Sequence, residues 1–547
     1  MKPDQNKINY FLERGFLISP DLLEGAFDNS NLLNNLQKNV ETNEKPMVIN
    51  QDLFNVVSNK TKLNINWIDF EKSKSFSEKG RDTKIYNTFL DILNYNISDE
   101  KKQEVKQIIE EIREAPEKVV IEREKEISDN NILILKNYQE VNKKREVQDF
   151  VSYFKARYEG IKKILLNRVE LQNAVSISRL KSITEKQEVS LIGMISSKSK
   201  TKNDNIIISL EDPTGSINIL INKSKPELIE IADDLVLDEV IGIKGVLSEN
   251  IIFINNLFFP DITEIKPKKA KDEGYAVFAS DIHLGLKNFL AEDFINFIKW
   301  LNLEYGTDEQ KEIAKKVKYL FLVGDLVEGV GVYPGQENDL LIKDIYEQYR
   351  ALAEILSKVP KSIKMIICAG NHDAVRVAEP QPILDKKIAK SIYDLENVTV
   401  VTNPSLVNIH ASKDFLGFNI LLYHGFSMAY YADVVNSIRT AGGQDRADLI
   451  MKFFLQRRHF APTHASNTYI PDPEQDFMLI DKTPDFLVTG HIHKVSTANY
   501  KGVTCLNCSC WASISEAQEK RGLNPDPSKP ILVNLKTRDI SVLNFSK

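Results

Sequence analysis

The sequence predicts a multidomain α+β protein with a helical N-terminal module, a small β-barrel and a C-terminal domain in which strands and helices alternate. At 547 residues the chain is too long for one hydrophobic core, so several domains are expected. Five short β-rich runs fall between residues 187 and 262, which is typical of a barrel. After residue 275, apolar runs alternate with amphipathic helical patterns, which is typical of a layered α/β domain.

Composition places the chain among ordinary globular proteins. Hydrophobic residues make up 42% and charged residues 27% of the chain, and the net charge of −6 excludes a bulk polycation. Of the four cysteines, three lie within CLNCSC and cannot build a disulfide framework. No apolar run approaches the roughly 20 residues of a membrane span, and the first residues lack a secretory h-region. We therefore expect a cytoplasmic protein without a membrane partner.

The first 145 residues divide into two predicted regions. Residues 1–45 carry apolar side chains at helical spacing, and Ser19 and Pro20 fit the cap and the first position of a helix. A small helical module is predicted there, with docking or solubility as its expected role. Residues 46–145 are rich in charge and poor in apolar periodicity, which favours a partly disordered linker.

Residues 146–265 are predicted to begin with an amphipathic helix. Between 147 and 171, apolar residues from Phe150 to Leu166 share one helical face. The helix is expected to pack on the next domain through this face. The opposite face carries five basic residues, Lys155, Arg157, Lys162, Lys163 and Arg168. These residues are either solvated or in contact with phosphate.

The rest of this region is predicted to be a barrel. Its five β-rich runs, with a helix at 225–233 between the third and the fourth, match an OB-type Greek-key barrel. Such barrels bind single strands through aromatic stacking. Here only Phe253, Phe258 and Phe259 are available, so a structural barrel is an equal alternative.

The C-terminal domain, 275–547, carries its chemistry at strand ends. The central run is YLFLVGDLVE at 319–328, a short apolar strand followed by Gly324 and Asp325. Active sites of open α/β sheets lie at such ends. Four other strands end in oxygen or imidazole ligands: Asp281 with His283, Asn371 with His372 and Asp373, His424, and His491 with His493. The ordered set of DxH, GD, GNHD, H and GHxH is far more specific than any single motif.

These side chains predict a two-metal site. Aspartate, asparagine and histidine without thiolate suit Mn²⁺, Fe²⁺ or Zn²⁺, and two ions about 3.5–4 Å apart can promote displacement at phosphorus. Asp325 is the expected bridge. One ion is assigned Asp281, His283 and His493, and the other Asn371, His424 and His491. His372 is left to face the substrate, where it either stabilises charge on the phosphate or protonates the leaving 3′-oxygen.

The remaining histidines and the cysteines are expected to be structural. His410, His459 and His464 do not follow such motifs. Cys505, Cys508 and Cys510 lack a second cysteine pair, which favours small buried residues over a zinc site.

The ordered motifs resemble the calcineurin-like metallophosphoesterase superfamily, whose fold is an α/β/β/α sandwich. Further segments narrow the resemblance to the small subunit of archaeal family-D DNA polymerase: GDLVEGVGVYPGQ, HGFSMAYYADVV, QRRHFAPTHA and SEAQEKRGLNPDP. The resemblance covers roughly residues 147–547, fits the first helices more loosely and does not extend to 46–145. It implies the seven metal ligands named above, Asp325 and His372 as catalytic residues, and two manganese ions, while the sequence itself leaves iron and zinc open.

The resemblance also implies a function. That family proofreads as a 3′–5′ exonuclease on mismatched or single-stranded 3′ ends of DNA, in a heterodimer with a large catalytic polymerase subunit. A sliding clamp is a further expected partner. Related eukaryotic subunits have lost the metal ligands, whereas every ligand position is filled here. Candidate DNA contacts are Arg376, Arg457 and Arg458, with ordinary surface charge as the alternative. Two other functions stay open: a catalytically silent scaffold for polymerase assembly, and a phosphatase of the same superfamily.

Overall fold

The computed structural model describes residues 132–140, 143–180, 185–515, 519 and 522–546, together with the backbone of 17–18 and 48–49. Within those residues, no helix has both the length and the apolar surface that crossing a bilayer requires. The chain divides into two compact units, 1–129 and 130–547. In the first unit, strand β1 (Leu17–Ile18) pairs in parallel with strand β2 (Val48–Ile49). The rest of the predicted helical module and most of the predicted linker lie outside the described residues.

The second unit opens with a strand inside the predicted linker. Strand β3 (Ile132–Lys136) pairs antiparallel with residues 406–409 and forms the edge of a sheet in the C-terminal domain. The linker prediction for 46–145 is therefore wrong at 132–136. The run ILILK is too short to identify by its own periodicity, and a strand of this length becomes stable when a neighbouring strand supplies its hydrogen bonds.

Helix α1 (Val147–Leu165) packs between the barrel and the C-terminal domain. Tyr158 donates from its hydroxyl to the carbonyl of Ile192 in the barrel at 3.1 Å. Arg157 was predicted on the basic, outward face, but it is only 2% exposed and pairs with Asp476 of the C-terminal domain. The buried face of α1 is therefore wider than the apolar stripe, because the C-terminal domain supplies a carboxylate that compensates the buried charge of Arg157. A short helix α2 (Ile177–Leu180) leads into the barrel.

The barrel is built from five strands, with one short helix between the third and the fourth. They are β4 (Gln187–Lys200), β5 (Ile206–Asp212), β6 (Gly215–Ile221), α3 (Pro226–Asp233), β7 (Val240–Ser248) and β8 (Ile251–Phe258). The strand order is β4-β5-β6-β8-β7, and β7 pairs antiparallel with β4 to complete the closure. Its interior is filled by aliphatic side chains such as Ile208, Ile219 and Ile243, all fully buried. The predicted OB-type barrel is confirmed.

The C-terminal domain alternates strands and helices from 275 to 400, whereas strands follow one another directly at 398–422 and at 486–507. Its first half contains β9 (Tyr275–Ala279), α4 (Ala291–Leu301), α5 (Asp308–Ala314), β10 (Val317–Val323), α6 (Ile345–Leu356), β11 (Lys364–Cys368), α7 (Lys390–Tyr393) and β12 (Val398–Val400). Its second half contains β13 (Ser405–Ile409), β14 (Phe418–Leu422), α8 (Met428–Val434), α9 (Asn436–Thr440), α10 (Ala447–Arg457), β15 (Phe486–Thr489), β16 (Ser496–Tyr500), β17 (Val503–Asn507), β18 (Ile531–Asn534) and β19 (Ile540–Val542).

The strands form two six-stranded sheets that pack face to face. Their orders are β12-β11-β10-β9-β18-β19 and β16-β17-β15-β14-β13-β3. Strands β9 to β12 are parallel in the first sheet, and β14, β15 and β17 are parallel in the second. Parallel strands end at the same edge of a sheet, so the loops that follow β9, β10 and β11 meet the loops that follow β14 and β15.

Three apolar layers hold the two sheets and their helices together. Between the sheets, the rings of Phe278 and Phe321 stack 4.8 Å apart, and the ring of Phe486 packs against Phe278 from the facing sheet at 6.1 Å. Helices α4 and α6 cover the outer face of the first sheet, and α8 and α10 cover that of the second. The result is the predicted α/β/β/α sandwich.

Candidate metal centre

Every sequence-predicted metal ligand lies in a loop directly after one of the converging strands. Five of these residues adopt the left-handed backbone conformation that side chains other than glycine rarely occupy. Their φ angles are 51° at Asp281, 51° at His283, 50° at Asp325, 70° at His491 and 54° at His493. Such backbone strain persists only where the surrounding structure imposes it, and it concentrates at functional sites.

Asp281, His283 and His493 form one group of converging ligand atoms. The two Nε2 atoms of His283 and His493 lie 3.1 Å apart. Asp281 Oδ1 lies 3.3 Å from His493 Nε2 and 3.8 Å from His283 Nε2. The three atoms fall within 4.8 Å of one another, so a single cation can contact all of them.

Asp325, His424 and His491 form a second group of the same kind. His424 Nε2 lies 3.2 Å from Asp325 Oδ2 and 3.2 Å from the Asn371 side-chain oxygen. Asn371 thereby joins this group through its amide oxygen. Asp325 Oδ2 also lies 3.8 Å from His283 Nε2 of the first group. Its carboxylate therefore stands between the two groups, within reach of both.

Two of the predicted ligand histidines are oriented by hydrogen bonds at their other ring nitrogen. His283 Nδ1 bonds to Glu328 Oε2 at 2.8 Å, and His424 Nδ1 donates to the carbonyl of Val323 at 2.9 Å. With Nδ1 committed to the protein, the Nε2 lone pair of each ring is directed into the centre. Sequence reasoning missed Glu328. Its position three residues after Asp325, in the same strand-end loop, is the signal that could have identified it.

His372 is the half-buried histidine beside this centre. Its Nδ1 lies 3.0 Å from the carbonyl of Glu328 and 3.3 Å from Glu328 Oε2, and its backbone N–H donates to Asp325 Oδ1 at 2.8 Å. His372 therefore contacts the Asp325 carboxylate through its main chain, and it also forms a third group of potential ligand atoms with His283 and Asp325, all within 4.8 Å of one another.

Two glycines allow the loops to approach one another. Gly324 has a φ of 83°, and a side chain there would overlap the ring of His424. A methyl group at Gly370 would overlap the carboxylate of Asp325. Asp373 then shapes the loop after Gly370, because its carboxylate accepts the Gly370 N–H at 2.9 Å and the Tyr349 hydroxyl at 3.0 Å.

The electrostatics of the centre favour positive charge. Burial raises the pKa of Asp325, but the neighbouring His424 and His372 outweigh burial and hold this pKa well below its usual range. Burial lowers the pKa of His424, yet the Asp325 carboxylate brings it to about 9. Burial and the charge of His424 lower the pKa of His491 to about 3, so His491 offers an unprotonated imidazole. Ionised carboxylates beside imidazoles, with no thiol in either group, fit a borderline divalent metal ion, whose positive charge would replace that of the ring protons.

A groove of about 1140 Å³ extends from Asn371 and His372 along the surface. Its walls are formed by residues 137–140, 329–332, 371–377 and 382–388. This volume exceeds the roughly 300–1,000 Å³ of typical small-molecule pockets. The centre therefore opens onto a space large enough for an extended ligand.

Of the three predicted DNA-contacting arginines, only Arg376 lines this groove. Its guanidinium pairs with Glu140, donates to the carbonyl of Pro380 at 2.7 Å and lies 5.1 Å from the centroid of the Tyr138 ring. Arg376 thus joins the segment after β3 to the loop that carries His372.

The other two arginines are corrected by the structure. Arg457 is 4% and Arg458 is 5% exposed. Arg457 Nε pairs with Glu239 of the barrel at 3.1 Å, and Arg458 donates to Thr483 Oγ1 at 2.8 Å. Their expected contact with DNA is wrong for this fold, because a phosphate cannot reach buried guanidinium groups already paired within the protein. The pair instead joins α10 to neighbouring segments.

The remaining histidines have partners within the protein. His410 Nε2 bonds to Asp272 at 3.0 Å, His459 Nε2 to Asp476 at 2.8 Å and His464 Nδ1 to the Tyr469 hydroxyl at 2.6 Å. None of the three joins a group of potential metal ligands in the part of the chain that the structure describes. Cys505, Cys508 and Cys510 are buried and free.

Comparisons with known proteins agree with this architecture. Residues 276–495 match the family described as calcineurin-like phosphoesterase, and residues 189–265 match the OB-fold nucleic acid binding domain. The DNA polymerase II small subunit of Methanothermobacter thermautotrophicus is 37% identical over 380 residues, which cover 70% of this chain and 76% of that protein. The proteins of the same name from Archaeoglobus fulgidus and Methanocaldococcus jannaschii are 38% and 37% identical. Those matches cover 70% and 71% of this chain, and 74% and 64% of the respective relatives.

Proposed function

The chain belongs to the family of archaeal DNA polymerase II small subunits, and we propose that its C-terminal domain is a two-metal phosphodiesterase that removes mismatched nucleotides from the 3′ end of DNA. The observation that carries this proposal is the position of Asp325. Its Oδ2 lies 3.2 Å from His424 Nε2 and 3.8 Å from His283 Nε2, between two separate groups of ligands. A carboxylate so placed suits a bridge between two cations.

The predicted ligands are assigned to two ions according to which ligand atoms lie close together. Asp281, His283 and His493 would hold one ion, Asn371, His424 and His491 would hold the other, and Asp325 would contribute to both. Manganese is the proposed metal, and iron and zinc are compatible with the same donors. Two bound divalent ions would supply Lewis-acid stabilisation and a nucleophile for in-line displacement at phosphorus.

His372 is proposed to act on the leaving group. Its Nδ1 is held by Glu328, so Nε2 is the ring atom available to the substrate. Burial lowers the pKa of His372, but the carboxylates of Asp325 and Glu328 outweigh burial and raise the pKa above its usual value. The two carboxylates thus favour the protonated imidazole, and in the proposed step its Nε2 proton passes to the leaving 3′-oxygen as a nucleoside 5′-monophosphate departs.

The size of the groove supports a nucleic-acid substrate. Its volume of about 1140 Å³ suits several nucleotides better than a small phosphate ester. Arg376 lies in its wall beside the loop of His372, where its guanidinium pairs with Glu140 of the same wall. In the barrel, Phe253 is 42% exposed while Phe259 packs against the Arg457 guanidinium at 4.2 Å, so the barrel offers one exposed aromatic side chain among the three predicted.

Assembly is proposed as a parallel duty. The names of the relatives imply a large catalytic subunit as partner, and a sliding clamp is a further proposed partner. Buried ion pairs connect α1 and the barrel to the C-terminal domain, through Arg157 with Asp476 and Glu239 with Arg457. A scaffold of joined domains could serve assembly even without catalysis, which makes the silent scaffold the second candidate.

The test is digestion of a 5′-labelled primer with a mismatched 3′ end, annealed to a template, in Mn²⁺. The full chain is assayed alone and with its large subunit. Wild type should give a ladder that shortens from the 3′ end, and Asp325→Ala should give none. Asp414→Ala is the matched control, because Asp414 is an exposed carboxylate in the turn before β14, at the opposite end of that strand from His424.

Each outcome separates the candidates. An intact primer with wild type in both assemblies would leave the scaffold as the function. Hydrolysis of an aryl phosphate monoester in preference to an aryl phosphodiester would favour the phosphatase. Cleavage that persists in Asp325→Ala would remove the proposed bridge between the ions.

A further inference from the structure

Two buried amide side chains lie directly behind the second ligand group, outside every motif that the sequence singled out. Gln381 is 1% exposed and Asn403 is fully buried. Their main chains pair with each other through two hydrogen bonds, from the Gln381 N–H to the Asn403 carbonyl at 2.7 Å and in return at 3.1 Å. Gln381 follows the loop that carries Asn371 and His372, and Asn403 precedes β13. We call this pair the amide clasp.

The side chains of the amide clasp reach the backbone of two ligand loops. Gln381 Nε2 donates to the carbonyl of Gly370 at 3.1 Å, the residue before Asn371. Asn403 Oδ1 accepts the backbone N–H of His424 at 2.8 Å. Asn403 Nδ2 donates to Gln381 Oε1 at 2.7 Å, which links the two contacts. A continuous chain of hydrogen bonds therefore runs from the Asn371 loop to the His424 loop.

These two loops come from different sheets. Asn371 follows β11 of the first sheet, and His424 follows β14 of the second. Within the second ligand group, the Asn371 oxygen and His424 Nε2 lie 3.2 Å apart. A cation between them requires that separation to be held to within a few tenths of an ångström. Buried amides with satisfied donors and acceptors are rigid enough to hold it.

We propose that Gln381 and Asn403 are positioning residues for the second metal ion, the one assigned to Asn371, His424 and His491. This inference rests on the proposed two-metal function. The first ion has a different support, because His283 is oriented by the carboxylate of Glu328. Loss of the amide clasp should therefore lower the affinity for the second ion and leave the affinity for the first unchanged. A general loss of the fold would lower both affinities.

The test measures Mn²⁺ binding to the full chain by titration and by electron paramagnetic resonance. Wild type should bind two ions and give the spectrum of a coupled pair. Asn403→Leu and Gln381→Met remove side-chain hydrogen bonds of the amide clasp, with little change in side-chain volume and no change in charge. Each variant should lower the affinity for the second ion by roughly 10- to 100-fold, as loss of a group that orients a metal ligand does. At two equivalents of Mn²⁺ per chain, the variants should give the resonance spectrum of uncoupled Mn²⁺ ions. High Mn²⁺ should restore exonuclease activity.

Asn408→Leu is the matched control. Asn408 is a buried amide on β13 that donates to the Leu416 carbonyl at 3.0 Å and to Asn419 Oδ1 at 2.8 Å. Asn419 lies five residues before His424, roughly 15 Å along the strand direction. Asn408→Leu should lower the thermal midpoint as the clasp variants do, yet keep both ions at wild-type affinity.

The outcomes are separable. Two ions bound at wild-type affinity in Asn403→Leu and Gln381→Met would overturn the positioning role. An equal fall in the affinity for both ions in all three variants would also overturn the positioning role, because it would indicate a general loss of stability. If wild type binds no coupled pair of ions, the proposed two-metal function falls, and the inference falls with it.

Discussion

A buried cluster of histidine and aspartate in the C-terminal domain differs in one decisive respect from a second such cluster, which joins this domain to α1. In the candidate metal centre, His283 and His424 each use Nδ1 for a bond within the protein and direct Nε2 towards other ligands. In the second cluster, His459 uses both nitrogens. Its Nδ1 accepts the Ala461 N–H at 2.9 Å, and its Nε2 donates to Asp476 Oδ2 at 2.8 Å. We call this second cluster, formed by Tyr153, Arg157, His459 and Asp476, the interdomain cluster.

The carboxylates differ in the same way. Asp476 accepts from the Tyr153 hydroxyl at 2.9 Å, from Arg157 Nε at 2.7 Å, from His459 and from the Met478 N–H at 2.9 Å. Its two oxygens are saturated by donors. Asp325 Oδ2 instead faces histidine Nε2 atoms on two sides. Burial and residue type therefore do not by themselves make a metal site. A metal site also needs ligand atoms that the protein does not already use in its own hydrogen bonds.

The largest expected effect that separates the two clusters is on catalysis. His372→Ala should lower the rate of 3′-end cleavage by about 10²- to 10⁴-fold, because a positioned general acid contributes that much. Mn²⁺ binding should be retained, since His372 is outside both proposed ligand sets. The measurement is single-turnover cleavage at saturating Mn²⁺ beside a binding titration. His459→Ala should keep the catalytic rate of folded protein, and a matching loss of rate there would break the distinction between the clusters.

The next effect is on stability. Asp476→Ala leaves the buried charge of Arg157 without a counter-ion, so the free energy of unfolding should fall by about 3–5 kcal/mol. Denaturant unfolding monitored by tryptophan fluorescence measures it. Glu474→Ala is the control, because Glu474 is exposed in the same loop and should change stability by less than about 0.5 kcal/mol. Bound Mn²⁺ should remain at wild-type stoichiometry in both variants. Loss of metal in folded Asp476→Ala would show that the two clusters are coupled.

The smallest effect is a dependence of stability on pH. Burial lowers the pKa of His459 to about 4, against the opposing charge of Asp476 and with help from Arg157 and Lys136. The folded state therefore keeps His459 neutral where the unfolded chain, with a pKa near 6.5, binds a proton. Stability from this residue is complete above pH 6.5 and is lost as the pH falls towards 4, by up to roughly 3 kcal/mol.

His459→Gln removes this titration and is the way to isolate it. The difference in unfolding free energy between pH 7 and pH 4.5, measured by denaturant at both values, should be smaller in the variant than in wild type. An unchanged difference would assign the acid sensitivity to other groups, such as the paired carboxylates.

Much of the fold followed from local patterns. The run YLFLV predicted a buried strand, and the structure has β10 there at Val317–Val323. The barrel strands were likewise visible as five short β-rich runs, and helix α3 was predicted at 225–233 between the third and the fourth of them. By contrast, β3 was predicted as linker, because five residues at a sheet edge depend on the strand beside them rather than on a pattern of their own.

The sequence alone determined which residues could form the candidate site, because the motifs place their side chains directly after strands, and parallel strands deliver their ends to one edge. The tertiary structure decided which charged side chains reach solvent and which histidine nitrogens stay free. Arg157 is buried against Asp476, 319 positions away, and Arg457 against Glu239, 218 positions away. Glu328, Gln381 and Asn403 acquire their partners in the same way. The cost of burying a polar group depends on the partner it meets, and such distant partners meet only when the chain has folded.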